Sequence, residues 1–207
     1  MTVEDDYDRW AATYDEATNV TRDLDHVATR AALGGSRYEN ALEIGCGTGK
    51  NTQWLAPLCR RLTAVDLSSE MLAIAQQKVR DPHVTWRQFD ITRPWALEVQ
   101  SHDLVTFNLV LEHVADLSEV ISFAARSLAR GGRLYLSELH PYKQYLGSKA
   151  RYQLGGQVQT LETFTHHVGD YVTAVVNAGL RLERLAEKFD DESPAIPRLL
   201  TLLAKAT

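Results

Sequence analysis

The sequence has few residues that could form covalent or metal cross-links. Only two cysteines, Cys46 and Cys59, occur among the 207 residues. Two thiols form neither a disulfide framework nor a zinc site, and no His, Cys and Asp residues have the spacing of metal ligands. A chain of this length can bury a full hydrophobic core without such cross-links. We therefore expect a metal-independent protein that is stabilised by its core.

The sequence also lacks an excess of basic charge and any long apolar run. Lys and Arg number 22 against 27 Asp and Glu, which gives a net charge of -5, so a nucleic-acid partner is not expected. No apolar run approaches the ~20 residues that a membrane-spanning helix needs. The first residues, MTVEDDYDRW, are acidic and lack the basic-then-apolar order of a secretory signal. These absences predict a cytoplasmic protein without a membrane span.

The chain contains a regular alternation of short apolar runs and helical patterns. No repeat or linker divides it, which predicts a single domain over residues 1–207. Residues 1–35 form two amphipathic helical patterns, and from Glu39 onward strand-like and helix-like segments alternate. Alternation of this kind predicts an α/β fold, with a mostly parallel sheet and helices on both of its faces.

Two segments depart from this alternation. The last two strand-like runs, LRLERLAEKF and RLLTLLAKA, are joined by a segment too short for a helical crossover, so we expect an antiparallel hairpin. Residues 141–166 lie between a strand and a helix and are rich in Tyr, Gly and Gln. Ligand sites in such sheets lie beyond the carboxyl ends of the strands. Residues 141–166 are therefore predicted to be an insertion that caps a substrate site.

The stretch ALEIGCGTGKNT, residues 41–52, joins an apolar strand to a glycine-rich turn that suits a nucleotide-like ligand. A P-loop requires G-x-x-x-x-G-K-[ST]. Ile44 stands where its first glycine should be, and Asn51 stands where its Ser or Thr should be. These two mismatches argue against kinase or NTPase chemistry.

A dinucleotide site requires G-x-G-x-x-G followed by an acid about 20 residues later. Gly45 and Gly47 fit the first two glycines, and Asp66 fits the acid. Lys50, however, stands where a small residue must let the helix approach the strand. An NAD-dependent oxidoreductase therefore stays as a less favoured alternative.

The third pattern is an acid followed by G-x-G-x-G, here Glu43 to Gly49. Its glycines let the main chain pass close to a nucleoside and its amino-acid tail. The segments AVDLS, FDI, NLVLEHV and RGGRLYLSE follow in order. With the N-terminal YDRWAATYD and the closing hairpin, they resemble the class I S-adenosylmethionine-dependent methyltransferases, and in particular the small-molecule, type 11-like members.

This resemblance implies a Rossmann-like sheet of seven strands in the order 3-2-1-4-5-7-6, in which residues 1–35 are a helical cover. It implies S-adenosyl-L-methionine as the cofactor and in-line methyl transfer to O, N or C of a small organic acceptor. Asp66 is then expected to bind the ribose hydroxyls, and Asp90 is expected to face the adenine amino group. The residues implied to contact the cofactor are Tyr14, Glu43, Gly45, Cys46, Gly47, Asp66, Leu67, Met71, Asp90, Ile91, Asn108, Leu109 and His113.

A hydroxyl, phenol or acidic C–H acceptor must also lose a proton, and the pKa of histidine suits this task. His140 directly follows the fifth strand, and Pro141 prevents that strand from simply continuing. We therefore expect His140 to point into the cleft and to act as the base. Aromatic residues and one lysine are expected around the acceptor: Tyr142, Lys143, Tyr145, Tyr152 and Phe164.

A non-catalytic cofactor-binding protein of the same fold is the other alternative. The sequence is compatible with a homodimer but does not determine the oligomeric state.

Overall fold

The protein is described by a computed structural model that covers residues 2–191 and 194–207. Met1, Glu192 and Ser193, which belong to the predicted domain and its last connection, lie outside the described residues. The helices in the described ranges are α1 (Val3–Trp10), α2 (Val20–Leu33), α3 (Lys50–Leu55), α4 (Ser69–Lys78), α5 (Leu117–Ser127), α6 (Pro141–Tyr145) and α7 (Val168–Asn177). The strands are β1 (Tyr38–Ile44), β2 (Cys59–Asp66), β3 (Val84–Gln88), β4 (His102–Asn108), β5 (Leu128–Leu139), β6 (Arg151–Leu154), β7 (Gln157–Thr160), β8 (Leu180–Lys188) and β9 (Leu199–Ala206).

Seven strands form one sheet in the order β3-β2-β1-β4-β5-β9-β8. The first five strands in this order are parallel, whereas β9 is antiparallel to both of its neighbours. The predicted strand order and closing hairpin are therefore confirmed. The strand numbers differ because the sequence did not predict the separate two-stranded ribbon of β6 and β7, which lies in the insertion.

Helices cover both faces of the sheet, as predicted. Buried side chains of α2, α3 and α4, among them Leu33, Leu55 and Leu72, pack on one face. Buried side chains of α5 and α7, among them Ile121 and Val175, pack on the other face. Because the central strands are covered on both sides, their sequences are nearly continuous apolar runs.

The register brings the carboxyl ends of the central strands to one level. Ile44 pairs with Val65 on β2 and with Phe107 on β4. The residues that follow these positions are the glycine loop, Asp66 and Asn108. They meet at one edge of the sheet, where open α/β sheets place their ligands.

Local signals explain where several elements begin. Ser68 caps α4 by accepting a hydrogen bond from the Met71 N–H. Asn19 caps α2 by accepting a hydrogen bond from the Arg22 N–H. Both side chains satisfy N–H groups that have no partner within their helix.

Candidate cofactor and acceptor site

The glycine loop follows β1 and contains three glycines with positive φ, Gly45, Gly47 and Gly49. A Cβ added to Gly45 would lie 2.6 Å from the Val110 side chain, and one added to Gly49 would lie 3.1 Å from the Ala75 Cβ. A Cβ on Gly47 would meet no atom within 4 Å. Gly45 and Gly49 are therefore required by packing, whereas Gly47 presents bare main chain to an open space.

Asp66 ends β2 beside this loop. Its Oδ2 accepts the Gly47 N–H at 2.7 Å, and its Oδ1 accepts the Ser68 N–H at 3.0 Å. Burial raises the pKa of Asp66, while these main-chain hydrogen bonds act in the opposite direction. Each carboxylate oxygen has a second lone pair, so Asp66 can hold the loop and still accept ligand hydroxyls.

The glycine loop, Asp66 and α1 surround a space that we call the glycine-loop cleft. It encloses about 760 Å³, open solvent included. The predicted cofactor residues that line this cleft are Tyr14, Gly45, Gly47, Asp66, Leu67, Asp90, Ile91, Asn108, Leu109 and His113. Sequence reasoning did not select five further lining residues, which are Val3, Tyr7, Thr92, Val110 and Val114.

Three predicted contact residues, Glu43, Cys46 and Met71, are buried and do not line the glycine-loop cleft. Cys46 and Met71 pack in the interior, and burial raises the pKa of the Cys46 thiol well above its usual value. Glu43 lies behind the loop, and burial raises its pKa to about 8. The motif spacing located the loop correctly, but it could not tell which side chains face away from the cleft.

Helix α1 forms one wall of the glycine-loop cleft. The Tyr7 hydroxyl lies 2.9 Å from His113 Nε2, and His113 Nδ1 lies 2.8 Å from the Glu162 carbonyl oxygen. Because a carbonyl only accepts, Nδ1 carries the proton and Nε2 accepts from Tyr7. Ser68 also donates its hydroxyl hydrogen to Asp8 Oδ1 at 2.6 Å, so α1 is attached to α4 as well.

A second space, which we call the cap cleft, lies between the start of α2 and the residues that follow β5. It has a volume of about 1510 Å³, open solvent included, and it shares Tyr7, Tyr14 and Leu109 with the glycine-loop cleft. Lys143 lines it, and Tyr152 stacks on the lining residue Trp10 with ring centroids 5.5 Å apart. The four predicted aromatic residues, Tyr142, Tyr145, Tyr152 and Phe164, do not line it themselves.

Glu112 also lines the cap cleft, although sequence reasoning did not select it. Its side chain is buried, and its Oε2 atom has no hydrogen-bond partner among the described residues. Burial raises the pKa of Glu112 to about 7, against the opposing effect of the Gln144 side chain. The acid stands beside His113 in the sequence, but only the structure shows that it is buried and faces a cleft.

His140 lines neither cleft, so the expectation that it points into the site is not met. Its Nδ1 accepts the Tyr142 N–H at 3.1 Å, and its Nε2 lies 3.1 Å from Glu187 Oε1. Since Nδ1 uses its lone pair as an acceptor, Nε2 carries the proton that Glu187 accepts. Burial also lowers the pKa of His140. Neither ring nitrogen therefore has a free lone pair. Nδ1 uses its lone pair to cap α6, and Nε2 carries the proton.

The comparisons with known proteins identify the family. Residues 42–136 match a family described as a methyltransferase domain. Over 170 residues the chain is 32% identical to the ubiquinone biosynthesis O-methyltransferase of Xanthomonas euvesicatoria pv. vesicatoria, an alignment that covers 77% of this chain and 69% of that protein. The chain belongs to the class I S-adenosylmethionine-dependent methyltransferases.

Solved structures of low sequence identity share the fold of this methyltransferase. The N-methyltransferase NodS of Bradyrhizobium japonicum, in complex with S-adenosyl-L-homocysteine, superposes with a TM-score of 0.76 at 22% identity, covering 100% of this chain and 99% of that chain. An S-adenosylmethionine-dependent methyltransferase from Mesorhizobium loti gives a TM-score of 0.74 at 21% identity, covering 88% and 97%.

The methyltransferase uses S-adenosyl-L-methionine as its cofactor and methylates a small organic molecule. This assignment replaces the oxidoreductase and the non-catalytic alternatives. Among the described residues, no helix is long and apolar enough to cross a membrane, and no cluster of three or more His, Cys, Asp or Glu side chains could hold a metal ion.

Proposed function

We propose that the methyltransferase methylates a hydroxyl oxygen of a small acceptor that binds in the cap cleft. The observation that carries this proposal is the wall of Tyr7, Tyr14 and Leu109 that the two clefts share. Ligands in adjoining clefts can bring their reacting atoms together, and positioning of this kind can contribute ~7–11 kcal/mol to a displacement. The printed name of the Xanthomonas relative, an O-methyltransferase, supports oxygen as the methylated atom.

The residues of the glycine-loop cleft fit the cofactor. Gly47 leaves open space where a side chain would stand, and Asp66 brings a carboxylate to the same cleft. In this proposal Asp66 binds the ribose hydroxyls, and Asp90 with Ile91 holds the adenine. His113, Asn108, Leu109 and Tyr14 complete the wall, residues 1–35 are the cover, and residues 141–166 are the cap. The bound cofactor supplies an electrophilic methyl carbon on a sulfonium.

Glu112 is the base in this proposal. Its Oε2 is a buried acceptor without a partner among the described residues, and its side chain lines the cap cleft. It also lies close enough to Tyr7, on the shared wall, to raise the pKa of that phenol. A carboxylate whose pKa is about 7 is half ionised at neutral pH, which suits a general base.

The other titratable groups near Glu112 are less suitable. His113 Nε2 already accepts from Tyr7. Burial raises the pKa of Tyr7, of Tyr171 and of Glu138, the last well above its usual value. Both phenols have a raised pKa and hold their protons at neutral pH, and Glu138 Oε1 already accepts the N–H groups of Val110 and Leu111.

Glu112 removes the acceptor's proton as the new bond forms. The cofactor, when bound, would supply the methyl carbon to which the acceptor oxygen bonds, and the electron pair of the broken methyl–sulfur bond would stay on its sulfur. The hydroxyl proton passes to the Glu112 carboxylate and later leaves to solvent. The products are a methyl ether and S-adenosylhomocysteine.

Transfer of a tritiated methyl group tests the proposal. Phenols, anilines and thiophenols of matched shape are offered to the enzyme, and the methylated position is read by mass spectrometry. We expect methyl ethers to form from phenols. Methylation confined to nitrogen, sulfur or carbon would contradict the proposal, as would the absence of any transfer.

The expectation of no nucleic-acid partner follows from charge, since the net charge is -5. A cytoplasmic location stays a prediction. Analytical ultracentrifugation tests the oligomeric state, because it distinguishes a monomer from a homodimer.

A further inference from the structure

The cap cleft is basic although the whole chain is acidic. Its lining includes Arg22, Lys143, Lys149, Arg151 and Arg198, and Glu112 is the only acid among its described lining residues. The complete chain, in contrast, carries a net charge of -5. A concentration of one sign of charge in a cleft raises the local concentration of ligands of the opposite sign.

Arg22 is held rigidly at the shared wall. Its guanidinium donates to the Tyr14 carbonyl at 2.6 Å and to the Ala17 carbonyl at 3.0 Å, and it lies 4.1 Å from the centre of the Tyr14 ring. Carbonyl oxygens and an aromatic ring fix the orientation of the group without cancelling its charge. Arg22 therefore presents a pre-organised positive charge in the cap cleft.

Three basic residues within 141–166 have no carboxylate partner among the residues that the structure describes. The side chains of Lys143, Lys149 and Arg151 form no ion pair or hydrogen bond with the described residues. Arg198 differs, because Asp190 pairs with it and Thr21 accepts a further hydrogen bond from it. Lys143 is half-buried, and Lys149 and Arg151 are exposed at the rim.

We propose that the acceptor carries a carboxylate or phosphate group, and that Lys143 and Arg22 bind this group in the cap cleft. The inference rests on the proposed function, since it treats the cap cleft as the acceptor site. Lys149 and Arg151 attract the same group at the rim. Lys143 precedes Gln144, which contacts Glu112, so an aromatic acceptor can present its hydroxyl to Glu112 and its anionic group to Lys143.

Binding of a charge series tests this inference without turnover. The probes are 4-hydroxybenzoate, the neutral 4-hydroxybenzyl alcohol and the cationic tyramine, with phenyl phosphate as the phosphate arm. Each is titrated by calorimetry into the enzyme saturated with S-adenosylhomocysteine, at low and at high salt. We expect one of the two anions to bind at least ~10-fold more tightly than the alcohol, because a hydrogen bond to a charged group is stronger than one between neutral groups. The anion that binds more tightly identifies the group.

The variant Lys143→Gln should lose about tenfold in affinity for that anion, and the loss should not extend to the alcohol. Lys205→Gln lies on β9, outside both clefts. It is the matched control, and it should leave the affinities for the anion and for the alcohol unchanged. Equal affinities for anion, alcohol and amine would overturn the inference, as would an unchanged affinity in Lys143→Gln or no measurable binding of either anion. Because no methyl transfer is measured, these results are independent of whether oxygen is methylated.

Discussion

Asp66 Oδ2 accepts the main-chain N–H of Gly47 at 2.7 Å, which ties the end of β2 to the loop that follows β1. One carboxylate therefore fixes the conformation of the glycine loop and faces the proposed ribose position. The two roles are linked in this structure, because removing the carboxylate alters both the ligand contact and the loop that surrounds the ligand.

The substitution Asp66→Asn should weaken S-adenosylhomocysteine binding by about 1–3 kcal/mol. One of the two oxygens becomes an NH2 group, which cannot accept from Gly47 or Ser68. Isothermal titration calorimetry measures the effect. Asp116→Asn is the control, since Asp116 also accepts main-chain N–H groups but at the cap of α5, outside both clefts. Wild-type affinity in Asp66→Asn would exclude the ribose role.

Gly47→Ala should greatly reduce cofactor binding, because its Cβ would enter the open space of the glycine-loop cleft. Gly155→Ala is a close control: the two glycines have φ of +53° and +57°, and an added Cβ meets no atom within 4 Å at either position. Each substitution therefore costs about 1–2 kcal/mol of backbone strain. Thermal unfolding should show similar losses, whereas calorimetry should show weak binding only in Gly47→Ala. If both variants bind normally, the loop does not approach the cofactor.

Glu112→Gln should lower turnover of a phenol by ~10²-fold or more. The ionised form of Glu112 is the active one, so wild-type kcat/KM should fall as the pH decreases below about 7, the pKa of this group in the unliganded protein. The variant should lose this dependence and keep its affinity for S-adenosylhomocysteine. Titration of 13C-labelled glutamate by NMR provides an independent readout, in which one carboxyl resonance that is missing from the variant should titrate near neutral pH.

Comparing the wild type with Glu112→Gln separates two questions. One is whether Glu112 is the base, and the other is whether oxygen is the methylated atom. If the wild type transfers methyl groups to phenols and Glu112→Gln does so equally well, only the base role is lost. If the wild type transfers to no phenol, the proposed function itself fails. Glu119→Gln, an exposed change on α5, should match the wild type.

Glu43→Gln should become more stable, compared with the wild type, as the pH rises. The pKa of Glu43 is raised from 4.5 to about 8 in the folded protein by burial, so the folded state binds the proton more tightly than the unfolded state. This contribution to stability is fully present below pH 4.5 and is lost as the pH rises to about 8. Urea unfolding should show a gain of a few kcal/mol for the variant at pH 8 relative to pH 5. A constant difference between the two proteins would contradict the folded-state pKa.

His140→Asn should leave the pH dependence of kcat/KM unchanged. The histidine caps α6 through Nδ1 and donates to Glu187 through Nε2, and Asn can replace the cap. We expect a loss of stability of about 1 kcal/mol or less and turnover within severalfold of the wild type. Glu187→Gln weakens the same hydrogen bond by removing the charge of its acceptor. It should also leave the pH dependence of kcat/KM unchanged. A loss of the acidic limb of the pH profile in His140→Asn would restore histidine as the base.

The sequence was most informative where periodicity and motif order determine structure. The alternation of strands and helices predicted a mostly parallel sheet, and the family resemblance implied its strand order. The parallel register then places Gly47, Asp66 and Asn108 at one edge. Side-chain direction was not predictable in the same way. The loop motif includes Glu43 and Cys46, but burial behind the loop depends on packing against other elements.

The sequence was also insufficient to identify the residue that we propose as the base. Pro141 predicts the end of a strand, but it does not reveal that α6 begins there and uses His140 as its cap. Glu112 precedes His113 in a segment that resembles the family, yet its burial depends on distant parts of the chain. The spacing of Tyr7, Trp10 and Tyr14 was a usable signal for the aromatic wall, because it places them on related faces of the first helical segment.

Helix α1 contributes to the walls of both the glycine-loop cleft and the cap cleft. Tyr7 forms part of both walls, and hydrogen bonds from its hydroxyl and from Ser68 to Asp8 hold the helix in place. A ligand that shifts Tyr7 in one cleft therefore changes the wall of the other cleft. Any coupling that results is reciprocal, so the acceptor and the cofactor change each other's affinity by the same factor.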